Sequence, residues 1–316
     1  MCEIKTFKGE KMKKTILSVF GIIVIAGGLF GVWQFIQNTN AEQINQCVEN
    51  KDIIACQKLV DKGLPSVEKC HKNKCAQIGL IYFELSDFTQ SLAYFDKGCS
   101  LNDGKACNRK GLLYSEGRGV EKSYTEALNL YKKACDLKFA FGCYNVGVLY
   151  EEGWGVKRDL SVATTFYEKA CNLKDADVCF MAGGKYHKQQ KMSKALQMYH
   201  KACEFNDENG CYASGLLYET GQGTGQNFAV AKKYYEKACE AKHAKACNNL
   251  AQLYENGKGI KTSAFSNEHL YTAKEYYGQA CELGVQDACA KYQEFDTMQN
   301  IENWLTLLLN WLSSFL

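Results

Sequence analysis

Six pairs of cysteines, each with seven residues between its members, recur along the chain: Cys99 and Cys107, Cys135 and Cys143, Cys171 and Cys179, Cys203 and Cys211, Cys239 and Cys247, Cys281 and Cys289. Successive pairs begin 36, 36, 32, 36 and 42 residues apart. A period of that length belongs to a stack of small units that bury their apolar faces only against one another. Cys47 with Cys56 and Cys70 with Cys75 are two irregular pairs in front of the array.

Other residues keep the same register. Seven positions after the second cysteine stands a tyrosine: Tyr82, Tyr114, Tyr150, Tyr186, Tyr218 and Tyr254. Four before the next cysteine stands an aromatic residue: Phe95, Tyr131, Tyr167, Tyr199, Tyr235 and Tyr277. Four after the second cysteine comes Gly79, Gly111, Gly147, Gly183 or Gly215, with Ala251 as the exception. Each unit therefore reads as two helices. The first runs from the second cysteine through the tyrosine, and the second carries its apolar residues at helical spacing, as in SYTEALNLYKKAC. Between them, Gly117 with Gly119, Gly153 with Gly155, Gly221 with Gly223 and Gly257 with Gly259 are helix-ending pairs. A phosphate cradle would precede a helix and follow a strand; these glycines follow helices in unit after unit.

This pattern, G-x-x-Y-x-x-G-x-G-V followed by A-x-x-Y-x-K-A-C and seven residues to the next cysteine, resembles the Sel-like repeat, a relative of the tetratricopeptide repeat. More narrowly it is similar to the cysteine-rich secreted branch described in Helicobacter. The resemblance covers about residues 45 to 293. It implies an all-α fold, a right-handed superhelical solenoid of antiparallel helix pairs, with one disulfide per unit joining adjacent helices. The cysteine interval leaves room for a helix end, a short turn and a helix start, which can bring the two sulfurs together. The expected bridges are the six regular pairs together with Cys47–Cys56 and Cys70–Cys75.

Seventeen cysteines are far more than a reduced cytosolic chain carries, and sixteen of them lie beyond residue 45, with Cys2 left over. An oxidising compartment, periplasmic or extracellular, follows. Met12-Lys13-Lys14 precedes an apolar run from Ile16 to Ile36. That run is long enough to span a bilayer, with the lysines setting an N-in orientation. It also reads as a cleaved signal peptide with a cut after Thr39-Asn40-Ala41. Both readings export the rest; the first tethers it to the inner membrane. Residues 1–41 are thus the leader or anchor, 42–295 the repeat array and 296–316 an amphipathic capping helix. In that helix Ile301, Trp304, Leu305, Leu308, Trp311, Leu312 and Phe315 share a face, an arrangement that would also suit a membrane interface.

The first forty residues carry the whole formal net charge of +3, and the remainder balances 33 basic against 33 acidic groups. A neutral body is no reader of a phosphate backbone, so nucleic acid is excluded as a partner. Zinc is disfavoured by the absence of C-x-x-C and of any histidine in register; Cys70-His71-Lys72-Asn73-Lys74-Cys75 is the one segment with a ligand-like set. No cofactor is called for.

Members of the cysteine-rich branch are described as binding or slowly hydrolysing β-lactams, so the resemblance raises a weak β-lactamase or penicillin-binding protein as the alternative function. It also raises a β-lactam or peptidoglycan-derived molecule as an alternative ligand. Serine chemistry of that kind needs Ser-x-x-Lys on a helix with Ser-x-Asn and Lys-Thr-Gly nearby. The chain offers Ser66-Val67-Glu68-Lys69, and Lys261-Thr262-Ser263 is only a poor echo of Lys-Thr-Gly. No catalytic residue is assigned.

The expected function is instead a peptide- or protein-binding scaffold, for a host or envelope partner, whose concave side is lined by the first helix of each unit. Asn108, Arg109, Asn145, Asn248, Asn249 and Gln252 are its candidate binding residues. Asparagine is a poor helix-interior residue, and its amide can clamp a peptide backbone or a terminal carboxylate; helix capping is the competing account of Asn108 and Asn248. Lys133, Lys169, Lys201 and Lys237, two residues before the first cysteine of their pairs, form either an anion-binding row or solvated helix surface.

Overall fold

The computed structural model describes residues 42–260 and 267–313, and all regular structure among them is helical. The leader segment, Lys261-Thr262-Ser263 and the last three residues lie outside the described residues. Between Lys122 and Ser123 the chain divides into two compact units. That division falls in the connection after Gly117-x-Gly119 and was not legible in the repeat pattern.

The first unit holds α1 (42–48), α2 (Ile53–Asp61), a single 3-10 turn (Val67–Lys69), α3 (Lys72–Glu84), α4 (Phe88–Ser100) and α5 (Gly104–Glu116). The second holds α6 (Tyr124–Asp136), α7 (Ala140–Glu152), α8 (Leu160–Cys171), α9 (Ala176–Lys188), α10 (Met192–Glu204), α11 (Glu208–Thr220), α12 (Phe228–Glu240), α13 (Ala244–Glu255), α14 (Glu268–Glu282) and α15 (Gln286–Ser313). Within each unit every helix from α3 onward packs on the next, and α7, α9 and α11 also touch in succession. Each unit is therefore a stack of helix pairs, the solenoid organisation read from the period.

The second helix of each pair shows why the stack forms. In α12, Ala231, Tyr235, Ala238 and Cys239 are buried, a stripe at i, i+4, i+7 and i+8 that faces the neighbouring helices. The register aromatic ring lies on the register glycine. A Cβ on Gly147 would stand 2.6 Å from the Tyr167 ring, and one on Gly215 would stand 2.6 Å from the Tyr235 ring. In the Gly-x-Gly turns both glycines have positive φ. The second one also touches the backbone of the preceding pair: a Cβ on Gly223 would meet the Met192 carbonyl carbon at 2.5 Å. Any side chain there would be strained and would push two helix pairs apart.

All sixteen cysteines beyond residue 45 are joined in the eight expected bridges, with Cα atoms 4.5 to 5.4 Å apart. In the first unit Cys47 is bonded to Cys56, Cys70 to Cys75 and Cys99 to Cys107. In the second unit Cys135 is bonded to Cys143, Cys171 to Cys179 and Cys203 to Cys211. Cys239 with Cys247 and Cys281 with Cys289 complete the set. Each regular bridge links the second helix of one pair to the first helix of the next. Small residues just before the cysteines allow that approach: the Cβ of Ala134 faces Gly142 and that of Ala202 faces Gly210.

The connection between paired cysteines is itself built to one plan. The third residue after the first cysteine is left-handed (Asn102, Lys138, Lys174, Asn206, Lys242 and Gly284). The fourth caps the next helix; Asp103, Asp175 and Asp207 accept hydrogen bonds from backbone N–H groups of the first turn.

His243 does this work in the fifth connection, where its Nδ1 accepts from the Ala246 N–H at 3.1 Å and its ring stacks on Tyr212. Burial holds the imidazole below its ordinary pKa despite the opposing pull of its own backbone and Glu208. Protonation removes the acceptor. The cap therefore stabilises the fold fully above the ordinary histidine value, and its contribution is lost as pH falls through the lowered folded value. His243→Asp is expected to flatten the decline in urea midpoint between pH 7 and 5 relative to the unaltered chain. An identical decline in both would refute the cap.

The tail departs from expectation. No separate capping helix starts at 296; α15 runs unbroken for 28 residues, because nothing between Gln286 and Ser313 is a glycine or proline. Its outer part does not cover the last pair. Trp304 is 62%, Leu307 69% and Leu309 64% exposed. No helix among the described residues is long and apolar enough to cross a membrane.

Candidate functional site

The first helices of the second unit carry a feature that the sequence reading missed. Glu151, Glu219 and Glu255, each the residue after a register tyrosine, accept hydrogen bonds from the hydroxyls of the buried tyrosines of the same helix pair. Tyr167 donates to Glu151 Oε2 at 2.7 Å, Tyr235 donates to Glu219 Oε2 at 2.5 Å, and Tyr277 donates to Glu255 Oε2. Burial, and then the carboxylate acceptors, push all three phenols far above their ordinary pKa. Burial alone would raise the Glu151 carboxyl, but hydrogen bonds from Lys185, Tyr167 and Gln189 outweigh it and hold the group below its usual value. The available signal was the recurrence of glutamate eight residues after a second cysteine.

The candidate binding residues separate into three groups. Asn108 and Arg109 sit on α5 of the first unit, where Asn108 is buried and is no surface contact. Its position on the inner stripe of α5, beside Cys107, accounts for this. Asn249 is committed to the fold: its Nδ2 donates to the Tyr235 hydroxyl at 3.2 Å, extending the Tyr–Glu pair to the next helix pair. Its place in a helix interior thus has a structural reason, and Asn145 occupies the equivalent register position on α7, half-buried. Asn248 and Gln252 remain. Among the described residues their side-chain amides make no hydrogen bond, and both line a groove of about 480 Å³ between α13 and α15. Asn256, Asp287, Lys291 and Glu294 complete its walls, and the Tyr277–Glu255 pair forms its floor.

Three lysines of the row, Lys169, Lys201 and Lys237, bridge successive helix pairs. Lys169 Nζ lies 3.3 Å from Asp136 Oδ1, Lys201 Nζ donates to Asn172 Oδ1 at 2.8 Å, and Lys237 Nζ reaches the Cys203 carbonyl at 3.4 Å. The register tyrosines are packing residues, stacked on an aromatic neighbour in Tyr150–Phe166, Tyr218–Tyr234 and Tyr254–Tyr276.

Ser66 and Lys69 are both exposed; Lys69 ends a one-turn 3-10 segment, and Ser66 stands at its start without a side-chain capping hydrogen bond. The sulfurs of Cys70 and Cys75 are bonded to each other and so are not thiolate ligands. Among the described residues no group of three or more His, Cys, Asp or Glu side chains is placed to hold a metal ion.

Residues 104–139, 140–175, 178–205, 209–243 and 244–285 each match the Sel1 repeat, more than half of the chain. The chain belongs to the Sel1 repeat family. A tetratricopeptide repeat matches residues 75–104, in keeping with the kinship of the two motifs. Each Sel1 match takes in a first helix, its turn and a second helix, so the bridges fall between consecutive Sel1 repeats.

Among curated proteins the chain is 42% identical over 45 residues to "Putative beta-lactamase HcpC" of Helicobacter pylori; the match spans 14% of this chain and 16% of that relative. Two solved structures share the fold. A protective antigen present in uropathogenic Escherichia coli strains, displaying an SLR fold, superposes with a TM-score of 0.54 at 23% identity, over 75% of this chain and 50% of that one. A Sel1 repeat protein from Oxalobacter formigenes superposes with a TM-score of 0.51 at 24% identity, over 72% of this chain and 99% of that one.

Proposed function

We propose that this chain is an exported Sel1 repeat scaffold that holds an extended peptide segment of a partner protein along the concave face of its first helices. The observation that carries the reading is the groove between α13 and α15, where Asn248 and Gln252 offer amides that the fold leaves unused. Amides without a partner, set in the wall of a groove, favour a ligand that supplies both donors and acceptors, as a peptide backbone does. Export is supported by the eight bridges, which a reducing cytosol would not maintain. Retention at the inner membrane through residues 16–36 is part of the same proposal. β-Lactam chemistry would come to this chain only from the name of a relative matched over 45 residues, and no observation at Ser66 supports it.

A photo-crosslinking residue placed at Gln252 in the native host tests the reading. A protein adduct is expected there and not from a residue placed at Lys233, which is exposed on α12. Equal labelling at both positions, or none at Gln252, would reject it.

A further inference from the structure

We infer that the groove between α13 and α15 takes a cationic group of its partner, a lysine or arginine side chain or a free amino terminus, and disfavours a carboxylate. The inference rests on the peptide-binding reading above and names the chemistry of its ligand.

The charges in the groove decide the sign. Three carboxylates, Glu255, Asp287 and Glu294, line it against one ammonium, Lys291. Lys291 Nζ is already held between two of them, 3.0 Å from Glu255 Oε1 and 3.2 Å from Glu294 Oε2. The other oxygen of Glu255 accepts the Tyr277 hydroxyl. Among the described lining residues no cation is therefore left over for an incoming carboxylate, which would have to draw Lys291 away from both partners.

A cation meets the opposite situation. Asp287, exposed in the first turn of α15, makes no ion pair among the described residues, and Glu294 is 57% exposed in its side chain with one oxygen outside the Lys291 contact. The Asn248 and Gln252 carbonyls supply neutral acceptors on the facing wall. Lys274 on α14 is bound to Asp296 and Gln299, and neither it nor the exposed Lys245 on α13 lines the groove. Like-charge exclusion and opposite-charge attraction thus point the same way.

Two end-blocked pentapeptides, pentalysine and pentaglutamate, each carrying a fluorophore, serve as probes against the full chain in fluorescence anisotropy. Pentalysine is expected to bind more tightly and to weaken as salt rises. Asp287→Asn with Glu294→Gln should weaken pentalysine about fivefold, the scale for two partly exposed charges. Asp287→Lys with Glu294→Lys should reverse the preference. These positions are exposed, and circular dichroism checks that each variant is folded. Pentaglutamate binding as tightly as pentalysine would overturn the inference while leaving the peptide groove standing. Pentalysine binding that ignores both double variants would also overturn it. Failure of both peptides to bind would overturn the groove reading, and the inference with it.

Discussion

Replacing Cys171 and Cys179 together by alanine is expected to lower the stability of the second unit by about 2–3 kcal/mol, the loop-closure entropy of a bridge this short. The bridge joins α8 to α9 in the interior of the stack. Neighbour contacts alone hold a solenoid together, so weakening one junction uncouples the pairs on either side. The expected signature in a urea titration followed by circular dichroism is therefore a broadened transition as well as a lower midpoint. Replacing both cysteines avoids a lone thiol that could exchange with the other bridges. A midpoint unchanged from the parent would show that helix packing, without the covalent link, suffices at this junction.

Tyr235→Ala is expected to be the most damaging single substitution, lowering stability by about 3–5 kcal/mol. The ring fills the space against Gly215 that no side chain there could share. It also stands beside the Tyr212 ring, 5.9 Å away. Tyr235→Phe separates packing from polarity. It keeps the ring but leaves the Glu219 carboxylate and the Asn249 amide without their shared partner, at about 1–3 kcal/mol. Asn249→Ala added to Tyr235→Phe should then cost less than the sum of the two alone, since the broken link is the same. Strict additivity would mean that the hydroxyl carries no coupling between the two helix pairs.

The stack of helix pairs, the six regular bridges and the turn glycines were legible because each depends on one residue type recurring at one place, whereas the irregular Cys47–Cys56 and Cys70–Cys75 bridges have no such register. Cys, Gly and the register aromatics announce their roles by spacing alone. The Tyr–Glu pairs were not legible in the same way. Glu219 reads as an ordinary charge on a helix surface, and only the packing of α11 on α12 brings it over the Tyr235 hydroxyl. For the same reason Asn249 looked available for a ligand, although its amide is spent on the neighbouring pair. Asn248, one residue earlier, faces the groove instead, a rotation of about 100° that sequence alone does not orient. The tail misled for a different cause: the amphipathic pattern beyond residue 296 is real, yet no stop signal separates it from the last repeat, so the helix continues.

The alternation of connections has a mechanical consequence. In the second unit every cysteine turn is closed covalently, whereas the turns between α7 and α8 and between α11 and α12 are closed by glycine geometry, hydrogen bonds and packing, with no covalent link. Under tension the chain would yield at the glycine turns while each bridge withholds the segment it spans, roughly 25–30 Å of extended contour. Reductant would release that hidden length, so the redox state of the surroundings, rather than the strength of the pull, sets how far this protein can be drawn out.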